Sequence, residues 1–326
     1  MRTVVALVPP SGWELLTEPW RYEFMQRALL VTVVASVVAA LLSCWLVLIG
    51  WSLMGDAVSH AVLPGVVLAY LVGAPFAAGA LLFGVGAVAL IGWVRATSRV
   101  KEDAAIGVVF TTVFAVGVVL VSVTPSQVDL SHILFGNVLG VSDADVVQVV
   151  VLGVVAAAVL VLMRRDITVY AFDRVHAQVI GLPVRRIGVL LLGLLAVSVV
   201  VALQAVGVVL AVAMLITPGA TAYLLTDRIW RMLWIAPSLA AACAVVGVWA
   251  SYALDVASAG LVVVCQGVAF AVAYATARLR TRRRRVRGRP GVGRGSAPTR
   301  AEDRARDLAA EDGPGGAEQG VERAGA

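Results

Sequence analysis

The sequence predicts an all-α, polytopic integral membrane protein with about 8–10 transmembrane helices, and three observations carry that prediction. Hydrophobic residues are 60% of the chain and charged residues only 14%, where a soluble domain carries about 25%. The apolar residues fall in long runs, several of about 18 or more, the length at which a helix crosses a bilayer. The basic residues crowd into alternate joints between those runs.

In chain order, residues 1–27 mix Pro9, Pro10, Trp13, Pro19, Trp20 and Tyr22, and read as a segment lying at the membrane interface. Val4–Val8 is too short for the core of a signal peptide. The transmembrane region, 28–277, opens with a span over Ala28–Gly50. The second runs from Asp56 to Gly73, and the third from Phe76 to Val94. A polar joint, RATSRVKED, leads to a fourth span over Ala104–Val123. The loop 124–145 follows, with Asp129, His132, Asp143 and Asp145 and no Lys or Arg. It reads either as a solvated loop obeying the charge rule below or as a surface that attracts cations or a binding partner. The fifth span is Val146–Met163, and 164–186 is the largest polar connection within the hydrophobic region. Spans six and seven, 187–204 and 206–225, are nearly continuous across Gln204. The last two are 233–252 and 258–277. The tail 278–326 is rich in Arg and Gly, then polar, and predicts disorder. Its arginines fit a topology anchor on anionic lipid, and no aromatic residues interleave them as a nucleic-acid strand would require. Cys44, Cys243 and Cys265 sit inside apolar runs without metal-site spacing and read as buried, reduced packing residues.

Lys and Arg set the orientation. Arg95, Arg99 and Lys101 lie in one joint, and Arg164, Arg165, Arg174, Arg185 and Arg186 in another. Arg228 and Arg231 occupy a third, and the tail begins at Arg278. The intervening joints carry none, so the basic joints and the C-terminus belong in the cytoplasm. About nine spans place the N-terminus outside, against which Arg2, Arg21 and Arg27 weigh.

Ser52–Gly65, SLMGDAVSHAVLPG, is the stretch with most chemistry. Asp56 and His60 are four residues apart, so on a helix they share a face at about 6 Å along the axis. A carboxylate beside a neutral imidazole suits first-row divalent ions better than alkali ions. The alternative is structural, with Asp56 as an N-cap and His60 as a core histidine bonded to a neighbouring helix. Pro64 and Gly65 weaken the helix one turn later.

GDAVSHAVLPGVVLAYLVG resembles the signature segment of the permease subunits of ABC-type manganese, zinc and iron importers. Three further blocks extend the resemblance in order: 98–142, the FDxxHAxxxGLPV pattern within 164–186, and 203–233. The resemblance covers about residues 24–277, and the long charged tail lies outside it. It implies a permease of two such chains, expected as a homodimer, each above a cytoplasmic ABC ATPase. An extracytoplasmic metal-binding protein would deliver the ion. Asp56 and His60 become the expected ligands or gate of the metal path. The amphipathic stretch 173–180, stopped by Gly181 and Pro183, resembles the family's coupling helix, so Phe172, Asp173, His176, Ala177, Gly181, Leu182 and Pro183 are expected to meet the ATPase. Thr217, Pro218 and Gly219 interrupt a span and read either as a passage or hinge or as a kink for packing. Family members often carry basic residues before the GDA block, but here the chain reads LIGWSLMGD.

No GxxxxGK[ST] occurs, so ATP is expected to be used by a partner subunit, with no cofactor bound by this chain and a divalent metal ion as its cargo. The expected location is the cell membrane, as a multi-pass protein with lipid but not nucleic acid as a partner. Three other readings stand beside this one. They are the same machine for a siderophore-like or cobalamin-like cargo, an ion-gradient-driven secondary transporter, and a membrane metal enzyme.

Overall fold

The computed structural model describes residues 21–124 and 143–287, and every regular element among them is helical. The chain divides into a unit of Met1–Ala277 and a second of Arg278–Ala326. In the second, the described residues 278–287 are helical. The proposed interfacial stretch 1–20 and the tail beyond 287 lie outside the described residues, as do Asp129 and His132.

The first unit is built around α1 (Glu23–Ile49). Ala28, Ala35, Ser36, Ala39, Ala40 and Ser43 are all buried on it. Such small side chains let neighbouring backbones approach closely where water-driven burial is not available. The helix stops at Gly50, whose φ of +83° lets its own N–H and that of Trp51 turn back to the carbonyls of Val47 and Leu46. α2 (Ser52–Ala61) and α3 (Leu63–Val72) together make the second crossing, broken at Val62. Pro64 falls in the first turn of α3, where its missing N–H costs nothing.

Gly73 (φ +66°) ends α3, and α4 (Phe76–Thr97) returns beside it. A Cβ at Gly65 would fall on the carbonyl oxygen of Gly79, so the two helices cross backbone to backbone. α5 (Glu102–Val123) packs on α2, α3 and α4. α6 (Asp143–Leu162) leads into two short helices, α7 (Arg164–Phe172) and α8 (Arg174–Val179). α9 (Val184–Val206) and α10 (Val208–Leu225) meet at Gly207 (φ +82°), followed by α11 (Ile229–Leu254) and α12 (Ser258–Arg287).

Contacts along α1 fix the crossing directions. Ser36 meets Met214 and Ser43 meets Gly219, so α10 runs parallel to α1. Among the described residues eight helical stretches are long and apolar enough to cross a bilayer, and a shorter apolar helix, Leu210–Leu225, lies on α10. At one face Tyr22 lies 6.1 Å from Tyr252, and Arg27 pairs with Asp143 at 2.8 Å and with Glu23. At the other, Trp45 Nε1 donates to Thr168 Oγ1 at 3.1 Å.

Several boundaries differ from the sequence reading. α1 starts at Glu23, within the stretch assigned to the interface, because the Glu23–Arg27 pair supports an extra turn. The second crossing starts at Ser52, four residues before Asp56, because Trp51 closes the α1 turn and opens the next helix. Helix continues through Arg287, beyond the expected limit of order near Ala277, since arginine is a good helix former and the first breaker is Gly288. Cys44 and Cys243 are buried free thiols as expected, while Cys265 is only half-buried.

Candidate functional site

Asp56 and His60 lie on α2, separated from α1 by the Gly50 turn and from α3 by the break at Val62. His60 Nε2 is 3.4 Å from Asp56 Oδ1, with both side chains about one-third exposed. The fourfold spacing thus brings the two together, and enough surface is open for an ion to reach them. Asp56 does not cap the helix, since Trp51 occupies that position. Nor is the imidazole held by a polar group of another helix. Its neighbours on α5 are rings, with the Phe110 centroid at 5.8 Å and Phe114 edge-on at 5.3 Å. These two phenylalanines were not singled out in the sequence, although their own spacing of four marks one face of a helix. Aromatic walls on one side and a carboxylate on the other leave His60 free to offer a nitrogen to an electrophile.

Small residues place α2. Gly55 faces Leu215 of α10 so closely that a Cβ would come within 3.3 Å, and Ser59 Oγ returns its proton to the Gly55 carbonyl at 2.8 Å. Gly117 of α5 abuts Leu63 and Pro64 just beyond the break. Among the described residues no group of three or more His, Cys, Asp or Glu is gathered tightly enough to hold a metal ion, so Asp56 and His60 stand as a pair without a third such residue beside them.

The second predicted site is the turn around α8. Asp173 accepts from the N–H groups of Val175 (2.8 Å) and His176 (2.9 Å), capping a helix of only six residues. Gly181 (φ +84°) closes the other end, where the Leu182 N–H reaches the Ala177 carbonyl at 3.0 Å. Ala177 is buried beneath the helix, while Phe172, Val175, Val179 and Ile180 are 53–79% exposed. His176 and Pro183 are exposed, and Leu182 is half-buried. An apolar patch on a capped, surface-mounted helix is suited to contact with another protein.

The third predicted site, Thr217–Gly219, lies within α10 against α1. Pro218 deprives the helix of a donor. Ser43 Oγ meets the disturbed backbone from α1, accepting from the Gly219 N–H at 3.1 Å and donating to the Ile216 carbonyl at 3.2 Å. Gly219 leaves no room for a Cβ against the Ser43 backbone. The structure thus supplies a packing reason for the interruption, and the sequence carried no signal that Ser43 was its partner.

Compared with known proteins, residues 21–277 match the ABC 3 transport family. The chain belongs to that family. Over 261 residues it is 48% identical to the "Manganese transport system membrane protein MntB" of Synechocystis, covering 80% of this chain and 85% of that one. It is 45% identical over 261 residues to the "Chelated iron transport system membrane protein YfeC" of Yersinia pestis, 80% and 88% of the respective chains. Among solved structures it resembles "PsaBC from Streptococcus pneumoniae in complex with Fab", with a TM-score of 0.74 and 36% identity over 80% of this chain and 95% of that chain. As a member of the family it is a membrane-spanning permease subunit of an ABC transporter.

Proposed function

We propose that this permease forms the membrane path of an ATP-driven importer of a divalent transition-metal ion, manganese or iron. The observation that carries the reading is the Asp56–His60 pair, set side by side on a short helix interrupted within a membrane crossing. A carboxylate with a borderline nitrogen suits such ions, and two ligands hold an ion loosely enough to release it. The names of the relatives, which concern manganese and iron, support the same cargo. A bulky chelate would have little use for this pair.

Two copies of the chain complete the path. Each contributes one Asp and one His, and a twofold axis would bring four ligands around a single ion. Energy comes from a cytoplasmic ATPase that docks on α8 through Phe172, Asp173, His176, Ala177, Gly181, Leu182 and Pro183. A metal-binding protein delivers the ion from outside, and closure of the ATPases switches the path from outward-open to inward-open. The chain itself binds no cofactor. The basic joints and the C-terminus face the cytoplasm of a cell whose plasma membrane the chain spans.

Uptake in cells lacking the chain tests this, with manganese, iron and zinc counted together. Wild type should restore manganese or iron, and His60→Ala should not, at equal abundance in the membrane. Restoration of none of the three by wild type would overturn the cargo. Equal restoration by both would reduce the Asp–His pair to packing.

A further inference from the structure

The docking helix and the metal-bearing helix share one direct joint. Arg174, the first residue of α8, places its guanidinium carbon 5.3 Å from the ring centroid of Trp51 and 5.1 Å from that of Tyr170. Both distances are within cation–π range. The two rings belong to parts of the fold with different anchorage. Tyr170 is buried on α7 with its hydroxyl against Gly188 of α9, and α7 is tied to α1 by the Trp45–Thr168 hydrogen bond. Trp51, also buried, is the residue on which α2 begins.

α2 packs on α4, α5, α9 and α10, and along the chain it is set off from α1 and α3 by a turn at each end. Gly50 stands before it in the left-handed conformation, with no atom within 4 Å of where a Cβ would lie. Behind it the helix breaks at Val62. A push on Trp51 passes directly into α2, whose first turn is tied to it by the Met54 N–H to Trp51 carbonyl bond at 3.0 Å. Asp56 and His60 lie five and nine residues further along, about 7 and 13 Å on a helical rise. They would move with it as one rigid arm.

We propose that Arg174 is the positioning residue that transmits displacement of the docking helix to the Asp56–His60 pair, through its stack on Trp51. The inference rests on the permease reading above. Arg174 slides with α8 and carries the Trp51 ring with it, while Tyr170 keeps the guanidinium in plane. A phenylalanine at position 51 retains a ring under the charge and keeps the joint, whereas a lysine at position 174 keeps the charge but loses the planar stack.

The test uses the complete transporter, with ATPase and binding protein, in vesicles supplied with Mn²⁺ and ATP. The readout is Mn²⁺ ions carried per ATP hydrolysed. Arg174→Ala and Trp51→Ala should each lower that ratio by about tenfold, within the usual range of coupling between distant sites. ATP hydrolysis and recovery of the ATPase with the permease should stay near wild type. The double variant should fall no further than either single one, Trp51→Phe should keep most of the ratio, and Arg174→Lys should keep only part of it. A wild-type ratio in Arg174→Ala would overturn the proposal, as would multiplying losses in the double variant. So would loss of the ATPase from Arg174→Ala, which would make Arg174 a docking contact instead. Failure of the wild-type complex to carry Mn²⁺ or, supplied in its place, Fe²⁺ would instead count against the cargo reading above, and is read in the same vesicles.

Discussion

At His60 the imidazole is steadied by hydrocarbon rings and addressed by a single carboxylate, so its orientation depends on Phe110 and Phe114. An edge-to-face pair contributes about 0.5–1.5 kcal/mol beyond burial. Phe114→Ala should therefore weaken half-saturation of Mn²⁺ uptake by roughly two- to tenfold while leaving the maximal rate comparatively intact. An unchanged concentration dependence would show that the ring only fills space. Ser43 invites a second test. It alone answers both the Gly219 N–H and the Ile216 carbonyl across the α1–α10 contact, so Ser43→Ala should cost about 1–3 kcal/mol, seen as a lower melting temperature of the detergent-purified chain. The Asp56–His60 proximity was legible because it needs only a helical repeat. The Phe110, Phe114 and Ser43 contacts were not, because each depends on which helix lies alongside, and apolar spans of similar composition carry little sign of their partners.

The elements show the same division between local and distant causes. The stop of α8 at Gly181 was legible in the sequence, because a left-handed residue acts on its own neighbours, whereas Asp173, read as the first residue of the helix, is its cap. Asp173→Ala should loosen that short helix by about 1 kcal/mol and lower recovery of the ATPase with the purified permease, while the chain's abundance in the membrane stays unchanged. The break in the second crossing was foreshadowed by Pro64, although it falls at Val62 because proline is comfortable in a first helical turn. The α3–α4 crossing was hidden, since Gly65 and Gly79 are two of 31 glycines and neither stands in a motif that names the other. Gly79→Ala would drive a methyl group into a backbone carbonyl. It should cost about 1–3 kcal/mol or more and deplete the folded chain, as read by protease resistance in membranes.

For the molecule as a whole, eight candidate spans with Leu210–Leu225 counted as a ninth would put the start of α1 and the basic joints on opposite faces. Of the three arginines that weighed against this in the sequence, one is accounted for. Arg27 is flanked by Glu23 and Asp143, so its charge is balanced where it stands. A cysteine placed at Tyr22 should react with a membrane-impermeant maleimide in intact cells, and one at Arg99 should react only after the cells are opened. The reverse pattern would invert the assignment. An ion pair between residues far apart in sequence thus offsets one of the charges that weighed against the asymmetry of the loops. The surface of α8 has a further consequence for how much of this protein a cell can keep. Phe172, Val175, Val179 and Ile180 stand out from the fold, and until a partner covers them they form the sort of patch that chaperones and membrane proteases grip. A permease made in excess of its ATPase would be cleared quickly and a matched one spared, so synthesis of the soluble subunit would ration the number of membrane pores.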